Sequence, residues 1–138
     1  MVELDAYWAD EHGDEPARIT SEDRLVQLLD ELRRTQPAAL VQLLPAGNPG
    51  AAILDVGFDG DRAVAFYSGP DHRDGCYSYN PAITVDDGAE PVLYYFMNSD
   101  TEYPATAEIA AEDAIKAACE YMRTGGQRPT TLAWQPMP

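Results

Sequence analysis

The sequence predicts an α+β fold in which two helices pack on a mostly antiparallel sheet. Two stretches, residues 21–34 and 111–124, carry apolar residues at helical spacing, and several short apolar segments lie between them. Turns of hairpin length join the middle segments, which favours antiparallel neighbours over parallel strands with crossover connections. The expected order is β-α-β-β-β-(β)-β-α-β, where the strand in parentheses is a short one after a long loop.

Length and charge limit the classes of protein to which this chain can belong. It has 138 residues and a mass of 15.1 kDa, so we expect residues 1–138 to form a single domain. Acidic residues number 24 against 9 basic ones, which gives a formal charge of −15. Such a surface repels phosphate and argues against direct binding to nucleic acid or to an anionic membrane. The apolar fraction of 45% is too high for intrinsic disorder.

Targeting signals and cysteine usage predict a soluble protein in the reducing cytoplasm. No stretch approaches the roughly 20 apolar residues of a membrane span, and the acidic start lacks the basic and apolar regions of a signal peptide. Cys76 and Cys119 have neither the spacing of a zinc site nor the number of a disulfide framework.

The first half of the chain predicts a strand, a helix and a three-stranded meander. Val2 to Trp8 alternates apolar and polar residues, as an edge strand with one buried face does. After an acidic loop over residues 10–16, Thr20 is expected to cap a helix from about Ser21 to Arg34. The antiparallel meander then consists of residues 39–44, 51–58 and 63–67. Asp59-Gly60-Asp61 is a typical short turn between its last two strands.

The middle of the second half predicts a long loop and then a central strand. Glycine, proline, aspartate and asparagine recur through residues 68–81, so we expect a loop, with a short strand near Ile83 to Val85. Val92 to Asn98 is apolar at consecutive positions, which is typical of a central strand covered on both faces. Its aromatic residues Tyr94, Tyr95 and Phe96 are therefore expected to pack in the core.

A helix and a last strand are predicted near the end of the chain. The helix runs from about Ala111 to Thr124 and ends at Gly125 and Gly126. Its inner stripe consists of Ala114, Ile115, Ala118, Cys119 and Met122. Residues 131–134 can add the final strand.

The residues supply no complete catalytic or metal-binding set. Four potential metal ligands lie between Asp71 and Cys76, but one histidine and one cysteine fall short of the ligands that zinc needs. Ser68 and Ser78 lack the glycine pattern of a nucleophile elbow, and acid pairs such as Asp86 and Asp87 are expected by chance in so acidic a chain. We therefore expect no enzyme activity, no metal and no cofactor.

One acidic region favours a protein-binding surface. Between Asp74 and Ile115 there is no basic residue, while acids recur beside tyrosines in predicted loops. Tyrosine provides contact area at little entropy cost and acids attract a basic partner, so such a protein can occupy the basic cleft of a nucleic-acid enzyme. A solvated acidic face without a partner is the alternative interpretation. The candidate partner-binding residues are Asp74, Tyr77, Tyr79, Asp86, Asp87, Glu90, Asp100, Glu102 and Tyr103.

The last third of the chain resembles a known protein family. Its pattern consists of Pro104, Ala114 and Ala118 on a short helix, Tyr121, the turn Gly126-Gln127-Arg128-Pro129, and Trp134. With the N-terminal strand and the capped first helix, this pattern resembles the Imm1 family of bacterial immunity proteins. The resemblance implies an α+β domain that neutralises a cognate secreted toxin, often a nuclease or a nucleic-acid deaminase, by blocking its active site. The alternatives are a small-molecule-binding or enzymatic α+β domain and a structural partner in another complex.

Two residues of that pattern are interpreted as scaffold. Arg128 is expected to turn the chain after the second helix and to pair its guanidinium with carboxylates or carbonyls. Trp134 is expected to pack the last strand onto the helix.

Overall fold

The computed structural model describes residues 3–9, 15–48, 50, 52–83, 90–97 and 99–136. Within these residues, ten strands belong to one sheet, and two α-helices pack on one of its faces, which confirms the predicted α+β class. The strands are β1 Leu4–Tyr7, β2 Ala17–Ile19, β3 Ala39–Pro45, β4 Ile53–Asp59, β5 Arg62–Gly69, β6 His72–Tyr79, β7 Val92–Phe96, β8 Ser99–Tyr103, β9 Ile109–Ala110 and β10 Ala133–Pro136. The helices are α1 Glu22–Thr35 and α2 Ala111–Thr124, and Ala105–Ala107 forms one 3-10 turn.

Seven of the strands form a continuous path through the sheet. Their order is β10-β6-β5-β4-β3-β1-β2, and neighbouring strands on this path are antiparallel. The predicted meander is confirmed as β3-β4-β5. Strands β7 and β8 form an antiparallel hairpin off the path, called the β7–β8 hairpin below. The Tyr95 N–H donates to the Ala38 carbonyl oxygen at 2.7 Å and so attaches this hairpin to the start of β3.

The sheet has a separate apolar core on each face, because side chains alternate along a strand. On the helix side, Val41 and Leu43 of β3 pack with Leu25 and Leu29 of α1 and with Met122 of α2. On the opposite face a smaller cluster, called the hairpin core below, consists of Leu40, Val64, Tyr94, Tyr103 and Ala107. The β7–β8 hairpin therefore covers part of the face that the helices leave open.

The second helix has the predicted bounds, and local signals explain both of its ends. Gly125 adopts a left-handed φ of 75°, a conformation that glycine reaches without the strain of a Cβ atom. Ala110 at the N-terminus has no side chain that can cap the helix. The Ala111 N–H instead donates to the carbonyl oxygen of Asp61 at 2.9 Å. Asp61 lies in the turn between β4 and β5.

The structure corrects two predictions for the N-terminal elements. Strand β1 is not an edge strand, because it lies between β3 and β2, and β2 forms the edge. Helix α1 is capped by Ser21 rather than Thr20: the Ser21 hydroxyl oxygen accepts from the Arg24 N–H at 3.2 Å. Most of the predicted acidic loop, residues 10–14, lies outside the described residues.

Two further predictions, for the middle of the chain, are wrong. Residues 72–79 form strand β6 between β5 and β10, although a loop was predicted there. The buried Ser78 hydroxyl holds this strand by accepting from the Ala65 N–H at 3.0 Å and donating to the Ala107 carbonyl oxygen at 2.6 Å. Strand β7 is not central, since its ladder partner is β8 and it touches β3 at a single residue pair. Of the short strand predicted near Ile83 to Val85, residues 84–85 lie outside the described residues, while Ile83 is in no strand and its N–H donates to the Asn80 carbonyl oxygen at 3.1 Å.

Within the described residues, neither helix is long and apolar enough to cross a membrane.

Candidate partner-binding site

The outer face of the β7–β8 hairpin combines exposed apolar groups with carboxylates. Leu93 and Tyr95 are 42% and 44% exposed, because they point away from the hairpin core. In the ladder, Leu93 lies opposite Glu102 and Tyr95 lies opposite Asp100. Opposite residues on one face of an antiparallel pair have neighbouring side chains. We call these four residues, Leu93, Tyr95, Asp100 and Glu102, the hairpin patch.

Only part of the predicted partner-binding set lies at this patch. Asp100 and Glu102 belong to it, and Glu90 is exposed two residues before β7. Asp86 and Asp87 lie outside the described residues. Asp74 is exposed near the start of β6, where it borders a groove beside Arg128 and is not part of the patch.

The prediction that Tyr103 lies in an exposed loop is wrong. Its side chain is 2% exposed and belongs to the hairpin core. The ring centroid lies 5.1 Å from that of Tyr77 and 5.9 Å from that of Tyr94. Burial, with the nearby negative charge of Asp55, raises the pKa of the Tyr103 phenol. Tyr103 therefore packs between the hairpin and the sheet, and its side chain is too buried to contact a partner.

The other two predicted tyrosines lie on β6 and differ in exposure. Tyr77 is half-buried between Tyr103 and Phe66, whose ring centroid is 5.9 Å away. Tyr79 is 38% exposed. Because the two residues are separated by one position, the alternation of the strand places Tyr79 on the same sheet face as Tyr77.

Sequence reasoning missed Leu93 and Tyr95, which were assigned to a core. The run Val92 to Phe96 is apolar at every position, so it does not show which side chains face outwards. The partner strand does show it, since the acids of Ser99–Tyr103 alternate with less polar residues. Pairing the two segments as a hairpin would have placed the apolar residues opposite these acids on the exposed face.

The predicted scaffold residues Arg128 and Trp134 line a groove of about 730 Å³ beside Tyr67 and His72. Trp134 packs on the helix-side core, and its Nε1–H donates to the Pro129 carbonyl oxygen at 2.8 Å. The Arg128 guanidinium carbon lies 6.0 Å from the Trp134 ring centroid, at the outer limit of a cation–π contact. The expected pairing of Arg128 with carboxylates or carbonyls is wrong for the described residues. Its recorded polar contact is instead to the Cys76 sulfur, at 3.8 Å.

The cysteines and acids do not form a reactive or metal-binding cluster in the part of the chain that the structure describes. Burial raises the pKa of the Cys76 thiol, although Arg128 partly offsets this effect, and burial also raises the pKa of Cys119. Both thiols are therefore poor nucleophiles. No three histidine, cysteine, aspartate or glutamate side chains among the described residues converge enough to hold a metal ion.

One buried carboxylate lacks the hydrogen bonds that such a group normally has. Asp55 on β4 is half-buried as a residue, but its Oδ1 atom is fully buried and has no hydrogen-bond partner. Loss of hydration raises the pKa of this carboxyl to about 7, while the neighbouring Gln42 amide acts in the opposite direction. No ion pair to Asp55 is present among the described residues.

The fold and the patch together define a small α+β protein with an acidic and partly apolar exposed surface. Residues 13–136 match the family model described as immunity protein Imm1, so this chain belongs to the Imm1 family. The match covers nearly the whole chain and confirms the resemblance found in the C-terminal pattern. A search of curated proteins finds no match.

Proposed function

We propose that this protein is a cytoplasmic immunity protein that consists of a single domain. It binds the toxin domain of a cognate secreted protein and covers the active site of that domain. The observation that carries the proposal is the Imm1 match over residues 13–136, since membership implies an immunity protein with a toxin partner. We infer further that the toxin has a basic cleft and acts on nucleic acid, and that the immunity protein itself neither catalyses a reaction nor binds nucleic acid.

The charge of the chain supports a basic partner. A formal charge of −15 attracts a cationic surface at long range and raises the rate of encounter. A toxin that acts on nucleic acid needs a cationic cleft to hold phosphates, so the same field that attracts substrate also attracts this protein.

The hairpin patch supports a specific contact within that field. Leu93 and Tyr95 supply apolar contact area, and the carboxylates of Asp100 and Glu102 lie directly across the ladder from them. Stable interfaces combine such an apolar centre with charges that set orientation. Glu90 and Tyr79 are exposed and extend the proposed surface. Asp86 and Asp87, which lie outside the described residues, stay in the proposed set on the sequence alone. We omit Tyr103 because it is buried, and Asp74 because it borders a different groove.

The test uses the C-terminal domain of the adjacent gene's product as the toxin. We expect the two proteins to co-purify and to form a stoichiometric complex in which nuclease or deaminase activity is lost. Raising the salt concentration should slow association strongly, because charge attraction is screened beyond about 10 Å at 0.1 M salt. Dissociation should change less, because buried contacts set its rate. A toxin domain that stays fully active with excess immunity protein would refute the proposal for this pair.

A further inference from the structure

Asp55 is unusual in holding a buried side-chain oxygen without a partner among the described residues. Leaving a charged oxygen buried and unpaired opposes folding, because its hydration is lost and nothing replaces it. Native proteins contain few such atoms, and each one calls for an explanation. The fold itself offers no explanation for the buried oxygen of Asp55, since no described cation or hydrogen-bond donor reaches Oδ1.

The position of Asp55 places it at the border of the β7–β8 hairpin. Two residues further along β4, Gly57 lies under Tyr94 of that hairpin, and the alternation of the strand puts Asp55 on the same face. The cross-strand row through Asp55 consists of Tyr7, Gln42, Asp55, Phe66, Tyr77 and Gln135. All six residues are half-buried, so the hairpin covers this row only in part.

Beyond this row the two middle positions of the face are apolar and uncovered to a similar degree, with Asp5 and Ser68 on either side of them. Leu44 and Ile53 lie next along β3 and β4 towards the open end, and both are half-buried. A carboxylate with aromatic and aliphatic neighbours matches the arrangement of binding hot spots, in which a ring of apolar contacts excludes water from one polar anchor.

The charged and titratable groups that surround Asp55 leave it without a counter-ion. Those on the same face or packed near it are Asp5 and Tyr7 of β1, Arg18 of β2, Arg73 and Tyr77 of β6, and Tyr103 of β8. Tyr121 approaches from the helix side, and its phenol donates to the Leu43 carbonyl oxygen at 3.0 Å. Arg18 is engaged by Asp5 at 2.8 Å and by Glu3 at 3.1 Å. Arg73 is exposed and borders a hollow beside Ile53 and Ser68 at the open end of this face, and it forms no ion pair with Asp55 among the described residues.

We propose that Asp55 and the half-buried sheet face around it receive an arginine or lysine side chain of the toxin, which makes this face the anchor of the interface. This inference rests on the proposed function and names the site that binds the toxin's basic surface. A basic side chain is the occupant that fits, because Asp55 is only half-buried as a residue, so a cation beside its exposed part supplies the missing counter-charge. The methylene groups of that side chain can pack on Phe66 and Tyr77.

Binding in this way must be coupled to loss of a proton. In the free protein Asp55 has a pKa of about 7, so it is about half protonated at neutral pH. A cation brought against it favours the ionised form, so the proton leaves as the complex forms. The affinity contributed by this contact therefore rises with pH up to about 7 and then levels off, which predicts about tenfold tighter binding at pH 8 than at pH 6.

The experiment compares three forms of the full chain, wild type, Asp55→Asn and the control Glu31→Gln on the exposed side of α1, by calorimetric titration with the toxin domain at about pH 6 and pH 8. Repeating each titration in two buffers of different ionisation enthalpy counts the protons released. With a pKa of about 7, we expect the wild type to release about nine tenths of a proton at pH 6 and about one tenth at pH 8, and to bind about tenfold tighter at the higher pH. Asp55→Asn should bind at least tenfold more weakly at pH 8 and lose this proton release, whereas Glu31→Gln should keep it. Thermal melting of each variant without toxin confirms that it is folded.

The outcomes separate the two proposals. If the toxin binds Asp55→Asn as it binds wild type, with the same proton release, this inference is wrong and the proposed function stands. If the toxin binds none of the three forms, the proposed function fails and the inference fails with it.

Two arms without toxin test other occupants of the site. A rise in melting temperature on adding Mg²⁺ or Ca²⁺ that is lost in Asp55→Asn would assign the site to a metal cation. Self-association in sedimentation that is lost in the same variant would assign it to a second copy of this chain. Either result would overturn the inference.

Discussion

The ring of Tyr94 in the β7–β8 hairpin lies directly over Gly57 in β4. A Cβ atom at position 57 would lie 2.7 Å from Tyr94 Cδ2 and 2.7 Å from Leu40 Cδ2, closer than carbon atoms approach without repulsion. The absence of a side chain at Gly57 therefore allows the hairpin to pack flat on the sheet. The Tyr94 hydroxyl lies 3.3 Å from the Glu108 carboxylate, which fixes the other end of the same ring.

The first prediction follows from this contact. Gly57→Ala should lower the free energy of unfolding by about 1–3 kcal/mol, because two buried side chains must shift to admit the methyl group. The control is Gly50→Ala, since a Cβ there meets nothing within 4 Å. That change should stay within about 0.5 kcal/mol of wild type. Urea denaturation of both variants measures the difference, and equal stabilities would show that the hairpin does not pack on Gly57.

A second prediction concerns pH and Asp55. The pKa of this carboxyl is raised from 3.8 to about 7 on folding, so the native state keeps a proton that the unfolded chain loses. The stability of wild type relative to Asp55→Asn should therefore fall as pH rises through this window and then become constant. Between about pH 5 and pH 8 we expect the advantage of Asp55→Asn to grow by about 2.5 kcal/mol.

Chemical denaturation at the two pH values measures this change, and Asp100→Asn on the exposed hairpin patch serves as the matched control. A constant difference between wild type and Asp55→Asn across the range would mean that Asp55 is ionised normally in the native state.

The third prediction tests the packing of Trp134. Its indole is half-buried, lies 6.3 Å from the Tyr67 ring and donates to Pro129. Trp134→Ala should destabilise by about 2–4 kcal/mol through lost packing and lost hydrogen bonding. Trp134→Phe keeps an aromatic ring and loses the donor, so it should lose about 1–2 kcal/mol. An unchanged melting temperature in Trp134→Ala would exclude this residue from the scaffold.

The fourth prediction locates the interface by charge reversal. Replacing Asp100 and Glu102 by lysine should slow association with the toxin domain severalfold, because the reversed charges lie at the proposed contact. Replacing Glu15 and Glu31 by lysine changes the net charge equally, but these residues lie beside the β2 edge and on α1. The second pair should therefore slow association less. Stopped-flow mixing at two salt concentrations makes the comparison, and equal slowing would show that net charge matters while the hairpin patch does not.

Local signals in the sequence were sufficient to predict the two helices and the β3-β4-β5 meander. Helix α2 has the predicted bounds because its apolar spacing and the glycine at its end act over a few residues. The turn at Asp59-Gly60-Asp61 formed as predicted for the same reason, since Gly60 takes a positive φ of 65°. The C-terminal pattern, with the N-terminal strand and the first helix, was also sufficient to predict the family.

Strand β6 and the hairpin depended on contacts between residues far apart in the chain. Glycine, aspartate and serine in residues 72–79 are poor strand formers, and they form β6 because β5 and β10 supply hydrogen bonds on both sides. The apolar run Val92 to Phe96 is equally compatible with a central strand, and only pairing with Ser99–Tyr103 exposes Leu93 and Tyr95.

The sequence by itself thus determined the helices, the meander, the acidic charge and the family. The tertiary structure alone decided which tyrosines are exposed and that one oxygen of Asp55 is buried without a hydrogen-bond partner. The physical reason is that helix periodicity and turn conformation are properties of neighbouring residues, whereas the exposure of a strand residue depends on which distant strand or hairpin packs against it.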